Sequence, residues 1–191
     1  MEPISVIKDV DIFENKIIEP KFYKLRSTVK AIVVDGLGAV ALLSTRGHGL
    51  FPGGGINHGE NHEQALLREC MEEMGCEVSV VSYIGRFDQY RAHTAKKYEI
   101  HFYIAYVIGE KKHPTTTDAS EREVVLTWET VLHVKKILEE QIATLHLEEY
   151  ASQFNCRTHL LVFQQFLELT KFDEEEAMNA SMSISTTGKV E

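Results

Sequence analysis

A chain of 191 residues, 43% of them hydrophobic, can bury one sizeable core and reads as a single domain with appendages. Its formal net charge of −9 argues against a general nucleic-acid or anionic-membrane binder, but not against a nucleotide substrate, because a bound cation reverses the local sign. The cysteines, Cys70, Cys76 and Cys156, are odd in number; with no secretory leader pattern and no apolar run long enough to span a bilayer, a reduced, cytoplasmic setting fits best.

Residues 1–26 mix apolar and charged side chains and read as an N-terminal extension, with a strand expected over residues 4–7 and strand or loop over 9–20. The β-branched run in residues 27–35 (Val29, Ile32, Val33, Val34) predicts a buried strand, and it opens a domain expected to extend over residues 27–142. Asp35-Gly36 is a hairpin signal that returns the chain as a strand over residues 39–44, and Arg46 follows at its end.

The stretch that organises the rest begins with a glycine-rich loop, Pro52, Gly53, Gly54 and Gly55, and runs into a helix expected over residues 61–74. Asn61 with Gln64 three positions on fits a capping box, and Gly75 sits where a helix prefers a left-handed C-terminal residue. At helical periodicity Leu66, Leu67, Cys70, Met71 and Met74 share an arc that must pack on a core. Glu69, Glu72 and Glu73 share a second arc. Like charges at that spacing oppose helix formation by roughly 0.2–0.5 kcal/mol per pair. The bland reading of such a row is a solvated acidic face. The loop upstream favours a sharper one: consecutive glycines let backbone atoms approach a ligand unhindered, and a hard cation such as Mg²⁺ takes oxygen ligands together with waters and substrate phosphates.

Beyond the helix, residues 77–84 alternate as a strand, residues 85–93 continue it or turn, and residues 98–108 form another strand. A polar loop over residues 111–120 leads to a strand over 121–128 and a helix over 129–141. Residues 143–172 carry apolar side chains at helical spacing (Leu160, Leu161, Phe163, Phe166, Leu167), which fits a helical segment packing on the domain or on the partner of a homodimer. Residues 173–191 open on an acidic run and end in a Ser- and Thr-rich stretch with little to bury, so a disordered tail is expected. Strands around a central helix, with further helices at the end, describe a mixed α/β sandwich.

The central stretch resembles the box of the Nudix hydrolases, G-x5-E-x7-R-E-U-x-E-E-x-G-U with U a bulky apolar residue. Gly54, Glu60, Arg68, Glu69, Glu72, Glu73 and Gly75 fall on its defined positions, and Cys70 and Cys76 stand in the two apolar ones. The resemblance implies a Nudix-type α/β/α sandwich with a mixed sheet and a catalytic loop-helix. It also implies a hydrolase that uses metal-activated water to cleave a phosphoanhydride in a nucleoside diphosphate linked to another group. By resemblance, Glu69, Glu72 and Glu73 with a backbone carbonyl from Gly53 or Gly54 hold Mg²⁺, with Mn²⁺ as the alternative ion. Glu60 and Arg68 clamp loop against helix, and Gly54 supports the bend. Glu69, or a glutamate outside the box such as Glu121, takes the proton of the attacking water; Glu123 and, more weakly, Glu99 are the other candidates. An arginine at position 46 faces substrate in many relatives, although a surface arginine after a strand is an equal reading.

The substrate is not legible. A proline that would suggest ADP-ribose is replaced near its place by Tyr90 and Arg91, and a tyrosine that would suggest diadenosine polyphosphates by Ala92 and His93. Extended signatures for coenzyme A and NADH are absent too, which leaves a small-nucleotide hydrolase as the default. The competing class is a Nudix-fold nucleotide sensor that binds without cleaving, although sensors usually lose box carboxylates that this chain keeps. An enzyme acting on capped or triphosphorylated RNA fits the acidic balance less well. His58 and His62 make half a transition-metal site at most, and Tyr83, Tyr90, Tyr98 and Tyr103 read more readily as strand core than as base-stacking residues.

Overall fold

The computed structural model describes residues 2–14, 17–45, 47–114 and 124–173. Among them, seven strands form one mixed sheet: β1 (Ser5–Lys8), β2 (Lys24–Val34), β3 (Val40–Thr45), β4 (His48–Leu50), β5 (Glu77–Arg91), β6 (Lys96–Ile108) and β7 (Val125–Glu129). The spatial order is β1-β5-β6-β2-β3-β4, with β7 on the other edge of β3. β1 runs parallel to β5 and β2 parallel to β6, whereas β5 pairs antiparallel with β6 and β3 with its neighbours. The N-terminal strand is thus an integral edge of the sheet.

Period-two alternation divides the side chains between two cores. Val29, Ala31 and Val33 of β2, Ala41 and Leu43 of β3 and Ala105 of β6 face α1 (His62–Met74) and pack on Leu66, Cys70 and Met74. On the other face, Ile32, Val34, Val40, Leu42, Ile100, Phe102 and Ile104 meet α2 (Val131–Thr144) and α3 (Tyr150–Thr170) through Val134, Leu138, Val162, Phe163 and Phe166. This is an α/β/α sandwich. In the apolar stripe of α3, Phe163 and Phe166 are core, and Leu160, Leu161 and Leu167 are partly buried against it.

Several expectations change in detail. Residues 85–91 continue the strand, carried past Gly85 by register shifts at Val80/Ser82 and Tyr83/Gly85. The second helix starts two residues later than expected, where the Thr130 side chain accepts the His133 amide. Leu67 is 39% exposed rather than core, because the face that α1 turns to the sheet is Ala65, Leu66, Cys70 and Met74 with Glu69 beside them. Most of the expected tail, residues 174–191, lies outside the described residues.

Candidate active site

α1 forms where its local signals place it. The Asn61 side chain accepts the Gln64 amide at 2.9 Å, the Gln64 side chain accepts the Asn61 amide at 3.0 Å, and two otherwise orphaned donors are satisfied. Gly75 ends the helix at φ 65°, its amide donating to Met71 O.

The glycine loop lies along the exposed edge of β2 as a short pseudo-strand. Ala31 N donates to Pro52 O, Val29 N to Gly54 O and Ile56 N to Ser27 O. At Gly53 the backbone takes φ +123°, and a Cβ there would lie 2.2 Å from Val29 O and 2.7 Å from Lys30 Cα, so only glycine fits. The loop is anchored from behind by Phe51, whose amide donates to Nδ1 of the fully buried His159 at 2.9 Å and whose ring stacks on that imidazole. Burial, together with the nearby Lys30, pushes the His159 imidazole well below its ordinary pKa, which keeps it neutral and able to accept.

Helix and loop are tied by one arginine. Arg68 grips Glu60 with both prongs of its guanidinium, Nε to Oε1 at 2.7 Å and Nη2 to Oε2 at 3.0 Å, and Nη2 also donates to Gly55 O at 2.9 Å. Its Nη1 reaches Glu69 Oε1 at 2.9 Å and Glu72 Oε2 at 3.0 Å. Such a planar fork fixes geometry as well as charge, which an ammonium could not do here. The Arg68 bonds, with the Asn57 amide, hold the Glu60 carboxyl down to about 2.

The three glutamates of the row meet different surroundings. Glu73 Oε2 accepts the Gly53 amide at 2.7 Å. The Glu69 carboxylate lies over Gly54, its atoms 2.5–2.7 Å from where a Cβ would stand, so the missing side chain is what admits it. Only 8% of Glu69 is exposed, and desolvation pushes its carboxyl above the usual range, opposed by Arg68. Glu72 is more open than Glu69, with 41% of its side chain exposed against 11%. Among the described residues no three His, Cys, Asp or Glu side chains converge into a cage of their own. An all-oxygen set of carboxylates beside a glycine bend still fits Mg²⁺, which usually binds one or two carboxylates and completes its shell with water and substrate phosphate.

Beside the loop opens a cavity of about 640 Å³, lined by apolar Leu25 and Ile56 with Arg26, Ser27, Gly55, Asn57, Glu60 and His62. His62 does not pair with the exposed His58. Its Nδ1 meets the Tyr103 hydroxyl at 2.8 Å and its ring lies 4.2 Å from that of His101. Burial and the nearby His62 push His101 down to about 4.

Arg46, Glu121 and Glu123 lie outside the described residues. Glu99 is remote in partnership from the row: it pairs with Lys97 at 2.6 Å on β6. Two residues at the loop escaped the sequence reading. Lys30 donates through Nζ to Gly53 O at 2.7 Å and Phe51 O at 3.1 Å. Its one signal was a lone lysine inside an apolar strand. His159 had none, since a histidine in an apolar helical stripe is usually a satisfied core residue.

Fold and loop-helix together define the class: an α/β/α sandwich whose chemistry-bearing side chains sit on one glycine bend and the helix after it. The NUDIX domain family model matches residues 24–150, and the chain belongs to the Nudix hydrolase family. Among solved structures it is similar to the MutT protein from Methanosarcina mazei Go1, at 19% identity and TM-score 0.51 over 78% of this chain and 98% of that one. It is also similar to a C. elegans Ap4A hydrolase, at 13% identity and TM-score 0.52 over 77% and 99% of the two chains. A NUDIX hydrolase from Nitrosomonas europaea matches at 20% identity and TM-score 0.50 over 60% and 78%. At these identities the likeness is one of fold. No curated protein sequence matches the chain significantly.

Proposed function

We propose that this chain is a divalent-metal-dependent pyrophosphohydrolase that cleaves the phosphoanhydride of a nucleoside diphosphate linked to another group, releasing two phosphorylated products. The observation that carries the reading is the seating of the row on the bend, with Glu73 on the Gly53 amide and Glu69 over Gly54. Glu69, Glu72, Glu73 and the Gly53 carbonyl would hold Mg²⁺, or Mn²⁺ in its place. When bound, the cation supplies charge neutralisation at the phosphates and lowers the pKa of water.

The remaining work falls to the chain's own residues. Arg68 holds Glu69 and Glu72 in register with the loop through its grip on Glu60 and Gly55. Glu69, whose carboxylate lies over Gly54 at the bend, would take the proton of the attacking water. Glu121 is the alternative base, and Arg46 a contact for the substrate. The cavity beside the loop, with Arg26 and His62 in its wall, is the place for the group beyond the diphosphate. Free, buried cysteines support a reducing compartment such as the cytoplasm.

Incubation with nucleoside triphosphates, dinucleoside polyphosphates, nucleotide sugars and ADP-ribose, with Mg²⁺ and product mass spectrometry, tests the reading. Cleavage of at least one class into two phosphorylated fragments is expected. Tight nucleotide binding with no cleavage anywhere would replace the hydrolase with a sensor.

A further inference from the structure

The side chain of Lys30 leaves β2 and ends with its nitrogen bonded to two loop carbonyls, Gly53 O and Phe51 O. Gly53 is also the residue whose amide donates to Glu73. Burial pushes the Lys30 amine below its ordinary range, opposed first by Glu73 and then by Glu69. A lysine nitrogen therefore stands on the carbonyl that the metal reading assigns to the cation, within the field of two carboxylates of the same row.

We infer that Lys30 is a tethered competitor for the divalent cation: its nitrogen and the metal exclude one another at the Gly53 carbonyl. The inference rests on the reading of the box as a metal site and deepens it. It holds for amine and ammonium alike, since either donates to the carbonyl and fills the space in front of it. With no cation bound, Lys30 keeps the bend in its working shape. When a cation arrives, the lysine must leave. The site then fills only above a threshold of metal concentration set by the strength of the lysine's bonds, and one residue both shapes the loop and guards it.

Titration of the EDTA-stripped, dialysed protein with Mn²⁺, followed by electron paramagnetic resonance of the free ion, tests this without reference to turnover. Lys30→Met, which keeps length and removes the donor, should bind Mn²⁺ about tenfold more tightly or better, the scale of one strong hydrogen bond no longer to be broken. Lys30→Arg, which keeps a donor, should stay near the wild type. A Lys30→Met protein that binds Mn²⁺ equally or more weakly overturns the inference and leaves Lys30 a strut of the loop. Failure of the wild type and both variants to bind Mn²⁺ overturns the metal reading and this inference with it. A second readout uses the wild type alone, so that folding of a variant is not at issue. Acylation of Lys30, followed by peptide mass spectrometry, should accelerate when Mn²⁺ is added. Slower or unchanged labelling contradicts displacement.

Discussion

Replacing Gly53, Gly54 and Gly55 one at a time by alanine should produce three different outcomes, because a Cβ at each meets something different. At Gly53 the new atom would overlap backbone, 2.2 Å from Val29 O and 2.7 Å from Lys30 Cα, at φ +123°. Such a backbone conformation costs about 1–3 kcal/mol for a non-glycine residue, and relieving the overlap a further ~1–3 kcal/mol. Against a total stability of about 5–15 kcal/mol, Gly53→Ala should unfold far more readily than the wild type. Neither Gly54 nor Gly55 has a positive φ. At Gly54 the obstacle is the flexible end of Glu69, 2.5–2.7 Å away, which must retreat by about 1 Å to reach ordinary contact. Gly54→Ala should therefore fold with a loss of only about 1–2 kcal/mol. Its turnover should drop by about 10²-fold, the effect of an ångström's misplacement at a reacting centre. At Gly55 the nearest atom is Arg26 Nη2 at 3.6 Å, so alanine there should leave stability within about 1 kcal/mol of the wild type and activity largely intact. Urea unfolding reads the stabilities, and kcat/KM on a substrate identified by the incubation described above reads the chemistry. Near-normal turnover in Gly54→Ala would refute the seating of Glu69 on the bend, and a Gly53→Ala protein as stable as the wild type would refute the close packing of the loop on β2.

Glu72→Gln removes a carboxylate whose side chain is 41% exposed and leaves an amide that can still accept from Arg68, so Mg²⁺-dependent turnover should vanish while the melting temperature stays near the wild type; near-normal activity contradicts its role. His159→Leu leaves the buried Phe51 amide unpaired, which should cost about 1–3 kcal/mol in urea unfolding, and an unchanged midpoint would show that the anchor is dispensable. His101, held down at about 4, and His159, held lower than usual, stay neutral in the fold, whereas in the unfolded chain each titrates near the ordinary ~6.5. As pH falls below that value the unfolded state binds protons first, so their contribution to stability is full above ~6.5 and is lost toward 4. Denaturation at pH 7.5, 6 and 5 should show that fall, with a shallower slope in His101→Gln; an equal slope in the variant contradicts the assignment.

What could be read ahead of the fold was local. Asn61, Gln64 and Gly75 settle the ends of α1 within a few residues of chain, and the spacing of Glu69, Glu72 and Glu73 places them on one side of it whatever the helix packs against. The arc of Leu66 and Leu67 was less secure, because periodicity gives relative directions and leaves open which edge of the arc the sheet covers. Glu69 took the buried place and Leu67 the exposed one. Lys30 and His159 act on the loop from 21 to 108 positions away. Alternation along β2 turns Lys30 away from Val29 and Ala31, but it does not tell that the chain returns after the hairpin to lay two carbonyls in its reach. The same holds for β1, whose strand character was legible and whose parallel partner β5 was not.

The central claim, metal-assisted attack of water on a phosphoanhydride at the glutamate row, is met most directly by hydrolysis in ¹⁸O-enriched water with either Mg²⁺ or EDTA present. The account predicts one ¹⁸O atom in one of two phosphorylated products, with Mg²⁺ only. Cleavage indifferent to EDTA, or ¹⁸O absent from both phosphorylated products, would contradict it.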